Sequence, residues 1–178
     1  RIARDGYEAP TPTTVLNEDE IKRDASVNIA EYLLKMPSFA GSVYNNGSTT
    51  SAGMVGISSM SLRNLSPQRT LVLLDGQRLP AANTGDFVDI NAIPNGIIER
   101  VDVVTGGASA AWGSDAVAGV VNFVIDKDYT GLKGEVTGGV TGHGDNENFK
   151  VALTTGTRFA GGRGHLMLSG EASYNAGV

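Results

Sequence analysis

The sequence predicts an α/β (α+β) domain over about residues 1–130, with a small mixed sheet of four to five strands and short helices, followed over residues 131–178 by antiparallel strands. Three observations predict it. Helical and strand signals interleave as far as about Tyr129, and beyond Gly131 the texture becomes a plain period of two. The charge changes at the same place. Residues 1–130 carry ten basic and fifteen acidic side chains and residues 131–178 carry four of each, so the whole net charge of −5 lies in the first part. Glycine occurs 24 times, about 13% of the chain against an ordinary value of about 7%, so much of this backbone turns tightly or packs closely.

Arg1 to Thr14 holds two prolines, a glycine and no periodicity, and reads as an extended arm. Thr14–Leu16 reads as a short strand. Asn17 is an N-cap with Glu20 three positions on, the spacing of a capping box, for a short helix over 18–23. Asn28 caps a second helix, in which Ile29, Tyr32, Leu33 and Met36 fall at i, i+3, i+4 and i+7; Pro37 stops it, because the residue before a proline disfavours the helical region. From Ser38 to Ser61 the chain is uncharged and rich in Gly, Ser, Asn and Thr. Phe39, Val43, Tyr44, Met54, Val55 and Ile57 are too many apolar groups for a pure linker, so a long loop followed by a strand near 57–63 is expected. Thr70–Leu74 is nearly all apolar, as in a strand covered on both faces, and Asp75-Gly76 ends it with a tight turn. A strand over 97–105 contains Glu99, Arg100 and Asp102. Ser109 caps one helical turn through Trp112, itself read as core, and 119–126 returns as a strand.

Composition excludes several kinds of chemistry. The absence of cysteine removes disulfides, Cys-based zinc and a thiol nucleophile. His143 and His165 lie far apart, against a His-clustered metal site or a Ser-His-Asp triad. A net charge of −5 has the wrong sign for a nucleic-acid footprint. No leader is visible, and no apolar run reaches the roughly 18 residues of a transmembrane helix. Gly106-Gly107-Ala108-Ser109 could cradle a phosphate but lacks the P-loop ending. Ser109 lacks a G-x-S-x-G elbow because Ala111 takes its last position. Asp145–Asn148 lacks the EF-hand order, and Asn46-Gly47-Ser48 fits a sequon that is also ordinary loop chemistry. No enzyme, cofactor or metal site is read.

Five segments arrive in a familiar order: Asn28–Pro37, Leu62-Arg63, Arg69–Gly76 (RTLVLLDG), Asp89–Pro94 with Ile98–Gly106, and Ala108–Asn122. Together they resemble the plug domain of TonB-dependent outer-membrane receptors over about residues 11–128. The resemblance implies a plug lodged inside a barrel of about 22 strands, with residues 131–178 as its first three or so strands. It implies a cell outer-membrane location, with the N-terminal arm facing the periplasm. The implied activity is gated uptake of a scarce solute (a siderophore–iron complex, cobalamin, a saccharide or similar) driven by the inner-membrane TonB complex. The implied partners are outer-membrane lipid, the remaining barrel strands, the small-molecule or chelate ligand, and TonB through an upstream segment not seen in these residues. By matching position, Arg63, Glu99 and Arg100 would make plug–barrel contacts. Loops 41–56 and 77–88 would face ligand, with Tyr44, Asn45, Asn46, Arg78 and Asn83 as candidates. Departures are Asn64 where glycine follows the arginine, Trp112 for tyrosine and Gly107 for proline.

The last 48 residues then read as staves of an incomplete transmembrane barrel. Leu132, Gly134, Val136, Gly138 and Val140 oppose Lys133, Glu135 and Thr137. Phe149, Val151, Leu153 and Phe159 oppose Lys150, Thr154 and Arg158, with Thr155 and Thr157 weakening the apolar side. Leu166, Leu168, Gly170, Ala172 and Tyr174 oppose His165, Ser169, Glu171 and Ser173. Runs of about 10 residues suit a tilted strand crossing the hydrocarbon layer. Soluble half-buried sheets alternate too, which leaves a soluble periplasmic module of plug-like fold as the alternative; a nucleotide-handling enzyme using Gly106–Gly113 is a more distant one.

Overall fold

Alternating Val, Ile and Leu runs between glycine turns build two sheets. A computed structural model describes residues 12–17, 20–21, 29–43, 56–106, 108–140 and 147–175. The first sheet has five strands: β1 (Thr13–Asn17), β2 (Thr70–Leu74), β3 (Gln77–Arg78), β4 (Ile98–Val104) and β5 (Gly119–Ile125), in the order β1-β4-β5-β2-β3. The β2–β5 pair is parallel and the other pairs are antiparallel, so the sheet is mixed. Helix α1 (Ile29–Leu34) and the single turn α2 (Ser109–Trp112) accompany it. Asp75 and Gly76, at φ 52° and 77°, form the β2–β3 turn with the positive φ values that its strand twist requires. One arm of the expected capping box is present: the Asn17 N–H donates to Glu20 Oε2 at 3.1 Å. Residues 20–21 are helical, and the rest of the expected 18–23 helix, with the Asn28 cap, lies outside the described residues.

One face of the sheet carries the main core, in which Leu33, Phe39, Leu62, Val101, Val121 and Phe123 are sealed from solvent. On the other face Leu71, Leu73, Ala116 and Val120 form a smaller cluster, so β2 is covered on both faces as its composition predicts. The β4–β5 register slips between Ile98 and Arg100. This bulge at Glu99 lets Ile98, Val101 and Val103 share the core face although they do not alternate strictly.

Three expectations are corrected. Residues 57–63 form no strand; only Ser59 bridges to Val43, and Leu62–Asn64 is a 3-10 turn. Hydroxyls replace the ladder there, since the Ser61 N–H donates to Ser42 Oγ at 2.8 Å and the Leu62 N–H to Thr70 Oγ1 at 2.9 Å. Ser109 is the first residue of α2 and makes no side-chain cap. Trp112 is 40% exposed rather than core, because a four-residue helical turn has too little contact area to bury it.

The second sheet is β6 (Gly131–Val140), β7 (Glu147–Phe159) and β8 (Gly164–Asn175), antiparallel throughout in the order β6-β7-β8. Its inner face packs on the first sheet's connections, and its burial pattern is inverted. Lys150, Ala152 and Thr154 are buried, while Leu132, Val136 and Leu168 are 72%, 70% and 61% exposed. Among the described residues no helix is long and apolar enough to cross a membrane, which says nothing of strands.

Candidate functional site

Among the described residues three clusters carry the polar chemistry. The first lies where the entry to β2 meets the segment after β3. Gln68 Nε2 donates to the Gly85 carbonyl at 3.3 Å, tying the Pro67–Arg69 turn to the 79–88 segment. Asn83 Oδ1 accepts from the N–H groups of Gly85 (3.0 Å) and Phe87 (3.3 Å), an Asx-type closure that shapes the segment from within. The half-exposed Arg78 guanidinium bonds the Asp115 carboxylate and the Trp112 carbonyl. The bond from Arg78 to Asp115, followed by the Ser114 hydroxyl at 3.0 Å, holds the Asp115 carboxyl below its ordinary range against the opposing effect of burial, and the Arg78 charge adds a lesser push the same way. A cavity of about 290 Å³ lies among Gln68, Leu71, Arg78, Asp86, Val88 and Asp115. Arg78 thus lines that cavity, whereas the Asn83 Oδ1 is taken up within its own segment. Tyr44, Asn45 and Asn46 lie outside the described residues.

The second cluster surrounds Arg100. Its Nε donates to Asp102 at 3.0 Å and its Nη1 to Glu99 at 2.9 Å, and only 14% of the side chain is exposed. The bulge at Glu99 sets Arg100 and Asp102 on the sheet face opposite the main core. Arg63 lies elsewhere, exposed, with Nη2 donating to the Ala118 carbonyl at 2.9 Å. Arg63 and Asn64 both have left-handed φ, 53° and 56°, so the turn makes its positive-φ bend without the glycine of the resembling family.

The third cluster is the seam between the two sheets. Lys150, 1% exposed, places its ammonium 3.5 Å from Glu135 and 3.7 Å from Glu171. Thr154 and Ser169 share a hydrogen bond of 2.8 Å beside the Asn95–Ile97 turn, and the Asn95 N–H reaches Glu171 at 3.4 Å. Near the chain crossing into β6, His165 Nε2 lies 2.6 Å from the Tyr129 carbonyl and Arg158 pairs with Asp128 at 3.3 Å. Sequence reasoning placed Lys150, Glu135 and Glu171 on polar faces but did not join them, because joining needs the strand register. It missed Asn95, Gly96 and Gln68, for which no sequence signal existed. Among the described residues no group of three or more His, Asp or Glu side chains could hold a metal ion.

A mixed sheet with short helices, packed by one seam against apolar-out antiparallel strands, is the architecture of a plug beside the start of a barrel. A family model described as the TonB-dependent receptor plug domain matches residues 5–120, and the chain belongs to that family. Membership places it among receptors rather than enzymes. Solved structures share the fold. The siderophore receptor PirA from Pseudomonas aeruginosa is 21% identical with a TM-score of 0.66, over 96% of this chain and 30% of that one. A mutant of the ferric enterobactin receptor PfeA from Pseudomonas aeruginosa, in complex with enterobactin, is 18% identical with a TM-score of 0.68, over 94% and 25%. The unliganded ferric citrate transporter FecA is 25% identical with a TM-score of 0.70, over 93% and 26%. The chain therefore spans between 25% and 30% of the length of these receptors.

Proposed function

We propose that residues 1–130 are the plug, and residues 131–178 the first three strands of the barrel, of an outer-membrane transporter that takes up a scarce solute under the drive of TonB. The observation that carries this reading is the inverted second sheet. Ten large apolar side chains of β6–β8 are exposed while Lys150 and Thr154 are buried against the plug, the pattern of a strand with lipid on one side and a polar lumen on the other. A soluble periplasmic module would leave that apolar face in water. Iron chelates are the first solute class to test, since the named receptors of this fold are siderophore, ferric enterobactin and ferric citrate proteins.

Ligand would meet loops 41–56 and 77–88, with Tyr44, Asn45, Asn46, Arg78 and Asn83 as contacts; an anionic ligand would compete with Asp115 for Arg78. Arg63 would reach the barrel wall beyond these strands. For Glu99 and Arg100 a wall contact would have to displace the pairing they make with each other and with Asp102. Spin labels at Val136, Val151 and Leu168 of the full receptor in bilayers should report lipid, and labels at Glu135 and Ser169 should not. The reverse pattern sinks the proposal.

A further inference from the structure

Residues 89–97 are held at three places by elements far away in sequence. At one end Asp89 Oδ1 accepts from the Ser58 N–H at 3.0 Å, the Ile90 N–H donates to the Ser58 carbonyl at 2.9 Å, and Asn91 Nδ2 donates to the Gly56 carbonyl at 3.1 Å. At the other end the Asn95 backbone N–H reaches Glu171 on β8 at 3.4 Å. Gly96 lies so close to β7 that a Cβ there would collide with Thr154 Oγ1. In between, Asn95 Oδ1 accepts from the N–H of Ile29, the first residue of α1, at 3.2 Å. Asn95 therefore serves the helix with its side chain and the wall with its backbone.

The segment between these ties is stiff. Two 3-10 turns, Ile90–Ala92 and Asn95–Ile97, flank Pro94, and Ile90 and Ile93 are buried in the core at 1% and 4% exposure. Beside it a cavity of about 230 Å³ is lined by Ile29, Gly56, Asn91, Asn95, Glu171 and Ser173, residues from every element the segment joins. A stiff piece tied at both ends and backed by space shifts as a unit, because bending it would cost the buried contacts of Ile90 and Ile93.

We propose that residues 89–97 are a strap that couples the Gly56–Ser58 segment, helix α1 and the barrel wall, with Asn95 as the positioning residue at its joint. This rests on the reading that residues near 56 belong to the ligand-facing side and that β7 and β8 are barrel wall. A shift at Gly56 is then passed to α1 and to the Glu171 contact, and Lys150 keeps that carboxylate in place between encounters.

Single substitutions weaken the ties one at a time. Asn91→Ala removes the bond to Gly56 and leaves both Asn95 contacts. Glu171→Ala removes the wall acceptor and leaves Lys150 with Glu135. Hydrogen exchange of the full receptor without any solute is the readout. Asn91→Ala should speed exchange of residues 29–34 and 95–97, and Glu171→Ala that of residues 56–60, each by roughly five- to tenfold, the scale of one lost hydrogen bond in a local opening. Gly96→Ala presses on Thr154 from the plug side and should produce the same remote response at 56–60 should Glu171→Ala fail to assemble. Coupling is reciprocal, so faster exchange confined to the segment touching each substituted residue, or spreading in one direction only, overturns the strap. Since no solute is added, silence at the remote segments in a receptor whose spin labels place β6–β8 in lipid removes the strap alone; failure of the labels removes the transporter reading.

Discussion

In the five-stranded sheet the most deeply buried residues are Val101, Val103, Val121 and Phe123, whereas in β7 the buried ones include Lys150, Ala152 and Thr154. Both sheets alternate with the same period of two, and both are built largely from Val, Leu, Thr and Gly. The first hides its apolar face under α1 and the turns that cross it, like any water-soluble domain. The second turns Leu132, Val136, Leu153 and Leu168 outward and presents Lys133, Glu135, Ser169 and Glu171 to the plug side. The difference teaches that alternation specifies two faces and leaves open which one is inside. The surroundings choose: water around the plug sheet, and hydrocarbon around the staves in the proposed receptor.

The sharpest way to break this contrast is to remove a large side chain from each sheet. Phe123→Ala opens a hole in a fully buried core and should destabilise the plug by about 3–5 kcal/mol, read as a lowered denaturation midpoint and faster exchange across β4 and β5. Leu168→Ala on the outward face should leave that exchange unchanged. The next largest effect should come from Val136→Arg, at about 2–4 kcal/mol near the bilayer midplane. Folding titrations in lipid should show that loss; no loss for Val136→Arg, together with a gain in stability for Glu135→Gln, would mean that the faces are assigned the wrong way round.

Glu20→Ala tests the plug side on a smaller scale. It removes the acceptor for the Asn17 N–H and should cost roughly 0.5–1.5 kcal/mol, seen as faster exchange of Asn17 with no change in the staves. The smallest effect should belong to the exposed Arg78–Asp115 pair, worth under about 1 kcal/mol. Because the folded state holds the Asp115 carboxyl below its ordinary value, its contribution is complete above the unfolded value of about 3.9 and is lost as pH falls through the lower, folded one. The thermal stability of wild type should exceed that of Asp115→Asn near neutral pH and converge with it in strong acid. A gap that persisted there would mean that the pair is not what Asp115 contributes.

Much of this was legible from residue order, and the illegible parts have identifiable causes. The Asn17–Glu20 box spans three residues, and β2 shows as one unbroken apolar run between Arg69 and the Asp75-Gly76 turn, so local chemistry suffices for both. The strand expected near 57–63 did not form because Ser42 and Thr70 supply hydroxyls to its backbone donors, and nothing in a linear reading says which hydroxyl arrives where. Trp112 was misplaced because core membership depends on the area of its neighbours rather than on its own apolarity.

By itself the sequence determined the elements that local periodicity and turn chemistry dictate: β1, β2, β4 and β5 along the plug but not the two-residue β3, the two faces of β6, β7 and β8, and the five segments that mark the family. Tertiary structure alone decided which distant groups meet. The bulge at Glu99 turns Arg100 toward Asp102 rather than toward the core face. Asn95 supplies the first N–H of α1 with an acceptor from 66 residues away. Glu135 and Glu171 close on Lys150 only when both strands settle in register beside β7. The physical reason is range. Backbone preference and alternation act over a few residues, whereas buried hydrogen bonds and ion pairs join whatever folding brings within about 4 Å, and that distance is set by the whole packing.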